Sequence, residues 1–242
     1  MGQQENSMKA GAIFYTHNTL DGTKLFQSVQ DSISKSNILV VSVSNKPINF
    51  GTNFVDNYGT GFINMFHKIV FALERSEADY IFFLEHDVKY HPSHFDFTPE
   101  DPETFYYNQN VWLLRPDGHA LHFDVNQLSG LCVYREAALI HWREHLEKAL
   151  FARPKMDDHH FNKFIRHMGF EPFTHGRINW DTKYKMGTWK SEYPNVDIKH
   201  GGNATGQRWE KKQYRNQKLL INWQESENWS ILGWEKKDLV FE

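Results

Sequence analysis

The sequence predicts an α/β fold in which a mainly parallel sheet is covered by helices. Three observations lead there. Short apolar runs rich in β-branched and aromatic residues, at 12–15, 38–41 and 80–84, read as buried strands. Between them, apolar residues recur at three- and four-residue spacing, the period of a helix with one buried face. The resulting order of strand, helix, strand, loop, helix, strand is that of a parallel sheet with crossover helices.

Ala12-Ile13-Phe14-Tyr15 forms the first strand and stops at the polar loop Thr16-His17-Asn18-Thr19. Leu25, Val29 and Ile33 mark one helix face. Asn37 to Ser44 reads as the second strand. Phe62, Met65, Phe66, Ile69, Val70 and Leu73 outline a second helix, with Gly59 and Gly61 near its start. That helix delivers the chain to the strand Tyr80–Leu84. Residues 91–107, rich in Pro, Asp and aromatics, read as an ordered surface excursion. Val111–Leu114, Ala120–Val125 and Leu128–Tyr134 are expected to be further strands of a mixed sheet. Ala137–Leu150 is expected to be a helix, and Met156, Phe161, Phe164, Ile165 and Met168 outline another. From Glu171 the chain is turn-rich, punctuated by Pro172, Gly176, Gly187, Pro194 and Gly201-Gly202, and no regular structure is expected there.

With 242 residues the chain has room for one large domain or two small ones. Its 19 Phe and 8 Trp predict a core built largely from rings. A formal net charge of −3 gives no general drive toward nucleic acid or anionic membranes. The single cysteine, Cys132, excludes an internal disulfide and fits a reducing compartment. Between Leu131 and Val133 it reads as a small buried residue. Residues 1–9 are polar and unlike a secretory signal, and no apolar run reaches about 18 residues, so no membrane span is expected. The expected location is the cytoplasm.

The most informative junction is where Tyr80–Leu84 runs into Glu85-His86-Asp87. Burying charge is costly, so two acids at a strand exit favour a cleft where they meet a cation. Ligands of open α/β sheets bind beyond the carboxyl ends of the strands. Hard divalent ions bridge protein carboxylates to substrate phosphates. The competing reading is that these acids only form a turn or cap a helix. Similar pairs of readings attend the other candidates. Gln127, Ser129 and Gly130 suggest close approach to a substrate, or a bulge. Asp157-Asp158 is a candidate acid pair or a helix cap. Lys68 reads as part of a solvated helix face, or as a cation approaching the donor. Tyr106, Tyr107 and Trp112 are stacking platforms or core. In the tail, Arg208, Lys211, Lys212, Arg215 and Lys218 interleave with Trp209 and Tyr214, a pattern that can grip nucleic acid or simply face water.

Taken in order, these segments make residues 10–205 resemble nucleotide-sugar-dependent glycosyltransferases of the GT-A fold. The resemblance implies a Rossmann-like, mainly parallel central sheet in a domain of residues 1–205. A basic, aromatic extension, 206–242, would pack on the same domain. It implies that Thr16, His17 and Asn18 lie at the nucleotide, with Glu85 and His86 beside it. Asp87 of the DxD-like Glu-His-Asp motif would ligate a metal, and His200 would complete the shell. A neutral imidazole suits Mn²⁺ better than Mg²⁺. Asp157 or Asp158 would be the base of an inverting reaction. UDP-sugars are the usual donors of such enzymes; the acceptor hydroxyl is left open among glycan, lipid, protein and modified nucleic-acid base. Two other readings stand beside it. One is a metal-dependent hydrolase using His86, Asp87, His91 and His94 with residues 157–160, although no H-E-x-x-H spacing is present. The other is a non-catalytic protein that binds sugar nucleotides or carbohydrate.

Overall fold

The structure is a computed structural model that describes residues 8–174, 183–200 and 208–240. Gly176, Gly201, Gly202 and the expected boundary at 205/206 lie outside the described residues. In chain order the strands and helices are β1 (Ala10–Thr16), α1 (Lys24–Ser34), β2 (Val40–Ser44), β3 (Thr52–Val55), α2 (Phe62–Arg75), β4 (Tyr80–Leu84), β5 (Val88–Lys89), β6 (Thr104–Asn108), β7 (Val111–Leu114) and β8 (Ala120–His122). There follow β9 (Leu131–Tyr134), α3 (Arg135–Ala152), α4 (Asp158–Met168), β10 (Lys185–Trp189), β11 (Asn195–Ile198), β12 (Gln224–Ser226) and α5 (Lys236–Leu239).

A seven-stranded sheet in the order β10-β6-β9-β4-β1-β2-β3 forms the centre. Only β9 runs against its neighbours; the other pairings are parallel. The fold is thus a mixed α/β architecture with a mostly parallel central sheet flanked by helices. A second sheet, β12-β8-β7-β11-β5, stands beside it and carries one parallel pairing, β7 with β11.

Alternation along the strands builds a core on each face of the central sheet. Ile13, Ile81 and Phe83 pack with Phe66, Ile69, Leu73 and Trp142 under α2 and α3. Their neighbours Ala12, Phe14, Phe82 and Leu84 turn the other way, toward α1 and the second sheet, and meet Phe26, Val29, Ile33, Tyr90 and Val196. Helix α1 starts at Thr23, whose hydroxyl accepts from the Phe26 N–H at 3.1 Å, an N-cap.

Several expectations need correction. The 91–107 excursion contains β6, both of whose faces are buried, so it shows no alternation to read. The expected strand at 128 begins only at Leu131, after a 3₁₀ turn over Leu128–Gly130. The region after Glu171 holds β10, β11 and β12. Strand β10 is a largely exposed edge without a hydrophobic pattern, and β11 is buried yet half polar. Cys132 is buried, which pushes its thiol up. Among the described residues no helix is long and apolar enough to cross a membrane.

Strand β4 belongs to the central sheet and β5 to the second one, so Glu85-His86-Asp87 is the short link between the two sheets. The Asp87 carbonyl accepts from the Ile198 N–H at 2.9 Å, which anchors the end of β11 to this link. The 208–240 segment is stitched to the body through β12 on β8, the Trp234 indole N–H donating to the Pro194 carbonyl (2.8 Å), and Lys89 Nζ donating to the Asp238 carbonyl.

Candidate active site

A cleft of about 630 Å³ opens at the carboxyl ends of β1 and β4. Tyr15, Thr16 and His17 leave β1 into it, and Glu85, His86 and Asp87 leave β4. The start of α2 contributes Gly59, Gly61, Asn64 and Lys68, and the turn before β9 contributes Gln127 and Ser129. Phe170 and Glu171 follow α4, while Asp197 and Lys199 come from β11 and its exit. Arg208, Trp209 and Tyr214 close the outer wall.

The wall at the sheet junction is rich in acids. Burial pushes the Glu85 carboxyl up to about 8, and the charges of Asp87, Asp197 and Glu171 add to the effect. Burial likewise raises Asp197, partly offset by Lys199, whose ammonium lies 2.6 Å from Asp197 Oδ2. Asp87 behaves differently. Burial opposes its ionisation, but a hydrogen bond from His200 and the positive charges of His86, His200 and Lys199 outweigh this and hold it below the usual range. Its Oδ2 is 3.3 Å from His200 Nε2. Burial lowers both His86 and His17, whose ring centroids are 5.4 Å apart.

Among the described residues no three His, Cys, Asp or Glu side chains converge into a ready-made metal shell. A carboxylate beside an imidazole, next to a second carboxyl that ionises only reluctantly, fits an ion that completes its coordination with substrate oxygens.

The cleft also holds polar groups that are sparsely satisfied. The amide N and O of Asn64, 4% exposed, and the hydroxyl of Tyr15 are buried and have no hydrogen-bond partner among the described residues. Lys68 is buried rather than solvated. Its ammonium donates to Asn45 Oδ1 and, at 3.0 Å, to the Asp56 carbonyl, and burial lowers it. Glu171 is 2% exposed, and burial pushes it up to about 7.

The segment that carries Glu171 is held at every carbonyl. His141 Nε2 donates to Phe170 O at 2.9 Å, and the Thr174 hydroxyl to Glu171 O at 3.3 Å. The Tyr107 hydroxyl donates to Pro172 O, and Asn126 Nδ2 to Phe173 O at 3.1 Å. Phe173 sits at φ 64°, a left-handed conformation that costs a side-chain-bearing residue on the order of 1 kcal/mol or more. Gly169, at φ 80°, turns the chain out of α4 so that the Phe170 ring packs on Phe62, 5.2 Å between centroids.

Of the residues singled out in the sequence, the structure brings Thr16, His17, Glu85, His86, Asp87, Gln127 and Ser129 to one cleft, with His200 against Asp87. Asn18 is placed elsewhere. Its amide donates to Asp21 and to the Lys46 carbonyl while its oxygen accepts from the Lys46 N–H, and it does not line the cleft. Gly130 makes its close approach to another strand, since a Cβ there would lie 2.8 Å from the Asn108 carbonyl oxygen. Asp157 and Asp158 lie outside the cleft lining, both exposed: Asp157 caps α4 by accepting from the His160 N–H at 2.9 Å, and Asp158 pairs with Arg153 at 2.6 Å. Tyr106, Tyr107 and Trp112 are likewise absent from the lining. The histidine set of the hydrolase reading is dispersed. His94 is buried against Asn108 and Asn195, while His159 and His160 are exposed on α4.

Sequence reasoning did not single out Asn64, Glu171, Asp197 or Lys199. A signal exists for Asn64, which together with Lys68 one turn on interrupts the apolar face of α2. Glu171 between Phe170 and Pro172 carries a weaker one.

No protein-family model matches the chain, and no curated protein sequence matches it. Among solved structures it is similar to the mannosyltransferase PcManGT from Pyrobaculum calidifontis in complex with GDP-Man and Mn²⁺. That similarity has 14% identity and a TM-score of 0.42, covering 85% of this chain and 59% of that one. It is also similar to residues 1–349 of S. aureus TarS, with 16% identity and a TM-score of 0.31, covering 46% of this chain and 37% of that one.

Proposed function

We propose that the chain is a metal-dependent glycosyltransferase that moves a sugar from a nucleotide-sugar donor to an acceptor hydroxyl, with inversion. One observation carries this reading. The link between the two sheets places Asp87 against His200 at 3.3 Å on the wall of a cleft that Glu85 and Asp197 also line. Such a wall favours cations and disfavours a bare diphosphate. In this reading Asp87 and His200 hold Mn²⁺, or Mg²⁺, which when bound supplies charge neutralisation to the diphosphate leaving group. Thr16 and His17 border the nucleotide at the exit of β1. Glu85, on the same link as Asp87, is placed to meet a ribose hydroxyl or the metal. A UDP-sugar is the expected donor.

The wall made by Arg208, Trp209 and Tyr214, with the Arg208 guanidinium 5.5 Å from the Tyr214 ring centroid, belongs to this cleft. Lys211, Lys212, Arg215 and Lys218 are exposed beyond it.

Isothermal titration with UDP and with GDP, each with and without Mn²⁺, tests the reading. The wild-type protein should bind one nucleotide in a Mn²⁺-dependent manner. Asp87→Asn should weaken that binding at least tenfold while leaving the thermal melt of the nucleotide-free protein largely unchanged. Equal affinity in the two proteins with Mn²⁺ present would remove the central support.

A further inference from the structure

The cleft holds polar groups to which the reading above gives no role. Tyr15 Oη and the Asn64 amide are buried, face the cleft and have no partner among the described residues. A buried polar group without a partner costs on the order of 1–3 kcal/mol, so a native fold seldom keeps two in one cavity without a ligand to satisfy them. Here one is a neutral phenol, which donates, and the other an amide, which both donates and accepts. That combination matches hydroxyl groups, each a donor and an acceptor. Apolar surface from Phe62, Met65 and Phe170 lies around them, the mixture that a sugar ring or other polyol presents in return.

Glu171 enters the same cleft on a segment whose four successive carbonyls are each held by a side-chain donor. A surface turn does not need such anchoring, nor a phenylalanine held at positive φ. Both fit a carboxylate that must keep its place. The two acids that begin α4 are at the wrong end of that helix. Its 11 residues span about 16 Å, and it is the C-terminal end that reaches the cleft.

We propose that Tyr15, Asn64 and Glu171 form the acceptor site, taking a hydroxyl of a sugar or polyol, with Glu171 as the base. This rests on the glycosyltransferase reading above. The acceptor O–H bond breaks and its proton passes to a Glu171 carboxylate oxygen. The freed electron pair on the acceptor oxygen forms the new bond to the anomeric carbon. The bond from that carbon to the diphosphate breaks, and its electron pair leaves with the nucleoside diphosphate.

Water can stand in for the acceptor, so the test needs no knowledge of the natural one. Release of nucleoside diphosphate is followed for UDP-glucose, UDP-galactose, UDP-N-acetylglucosamine and GDP-mannose with Mn²⁺, alongside titration with UDP and GDP. Glu171→Gln should lower the release turnover by about 10²-fold or more, the usual scale for removing a general base, while nucleotide affinity stays within about twofold. Glu171→Asp should recover part of the rate. Release within threefold of wild type in Glu171→Gln overturns the assignment of the base. Equal loss of nucleotide binding and release also overturns it, because the residue would then serve the donor or the fold. A wild-type protein that binds nucleotide with Mn²⁺ but releases none from any of the four donors overturns the acceptor assignment and leaves a binding protein. One that binds no nucleotide overturns the glycosyltransferase reading itself.

Discussion

Removing one oxygen from Tyr15 should make the protein more stable and less active. Tyr15 lies at the end of β1, its ring packed in the core cluster beneath α2 and its hydroxyl buried without a partner among the described residues. Tyr15→Phe keeps the ring, and with it the apolar contacts. It removes an unsatisfied buried group whose desolvation costs about 1–3 kcal/mol. Allowing for the small void left behind, the gain should be about 1–2 kcal/mol. In a chain of this size each kcal/mol moves Tm by about 2–4 °C, so the ligand-free melt should rise by roughly 2–8 °C. The same change takes a hydrogen-bond donor from the proposed acceptor site, worth about 0.5–1.5 kcal/mol, so kcat/KM with the acceptor should fall about two- to tenfold. Calorimetric melts without nucleotide and steady-state transfer read the two effects separately. A fall in Tm would show that the hydroxyl is already satisfied in the ligand-free protein, and the case for a waiting ligand would collapse.

Glu171 supplies a pH signature. Its folded-state value of about 7 lies above its ordinary 4.5, so folding favours the protonated form. That contribution is complete below about pH 4.5 and is lost as the pH rises through 7, at most about 3 kcal/mol in all. Glu171→Gln, which resembles the protonated acid, should therefore match wild type near pH 4.5 and melt progressively higher than wild type up to pH 8; a constant difference across that range would contradict the burial argument. Asp157→Asn and Asp158→Asn should keep turnover within threefold of wild type, with Asp157→Asn alone showing a small drop in Tm from the weakened cap. A hundredfold loss of turnover in either would return the base to the start of α4.

The architecture was readable where an unbroken apolar run lies between turn residues, which β6, with Thr104 and Asn108 at its ends, and half-polar β11 are not. Tyr80–Leu84 is the clearest case, and its junction with Glu85-His86-Asp87 marked the cleft because acids following so apolar a run had nowhere else to go. Strands β10 and β11 were not readable, for opposite reasons. Lys185–Trp189 lies at a sheet edge with its side chains mostly in water, so neighbours on β6 rather than hydrophobicity define it. Asn195–Ile198 is buried, yet two of its four residues are polar because Asn195 donates to His94 and Asp197 faces the cleft. Lys68 misled because a lysine on a helix ordinarily reaches water. Here two carbonyl oxygens, from Asn45 and Asp56, accept its hydrogen bonds inside the protein. The placement of Asp157 and Asp158 depended on which end of α4 approaches the cleft, and helical periodicity carries no information about that. Glu171 follows the helix as one acid in a turn-rich stretch, and only the hydrogen bonds to its neighbours set it apart.

The distribution of charge around the cleft links the proposed cation to the proposed base. Glu85, Asp87, Asp197 and Glu171 line it, and burial works against ionising each of them. Two lysines of the cleft are already engaged: Lys199 with Asp197, and Lys68 with Asn45 and Asp56. Without a ligand Glu85, Asp197 and Glu171 are all raised, Glu85 to about 8 and Glu171 to about 7. Only Asp87 is held ionised, by the histidines and the lysine around it, and it is the carboxylate beside His200. A divalent ion placed there would lower the cost of ionising the other acids, and Glu171 is joined to them by its repulsion with Glu85. Binding of the metal nucleotide would thus favour the carboxylate form of the proposed base. On this account Mn²⁺ and UDP together should release protons on binding, and Glu171→Gln should release fewer. Titrations repeated in buffers of different ionisation enthalpy measure that number, and an unchanged proton count in the variant would uncouple Glu171 from the acid wall.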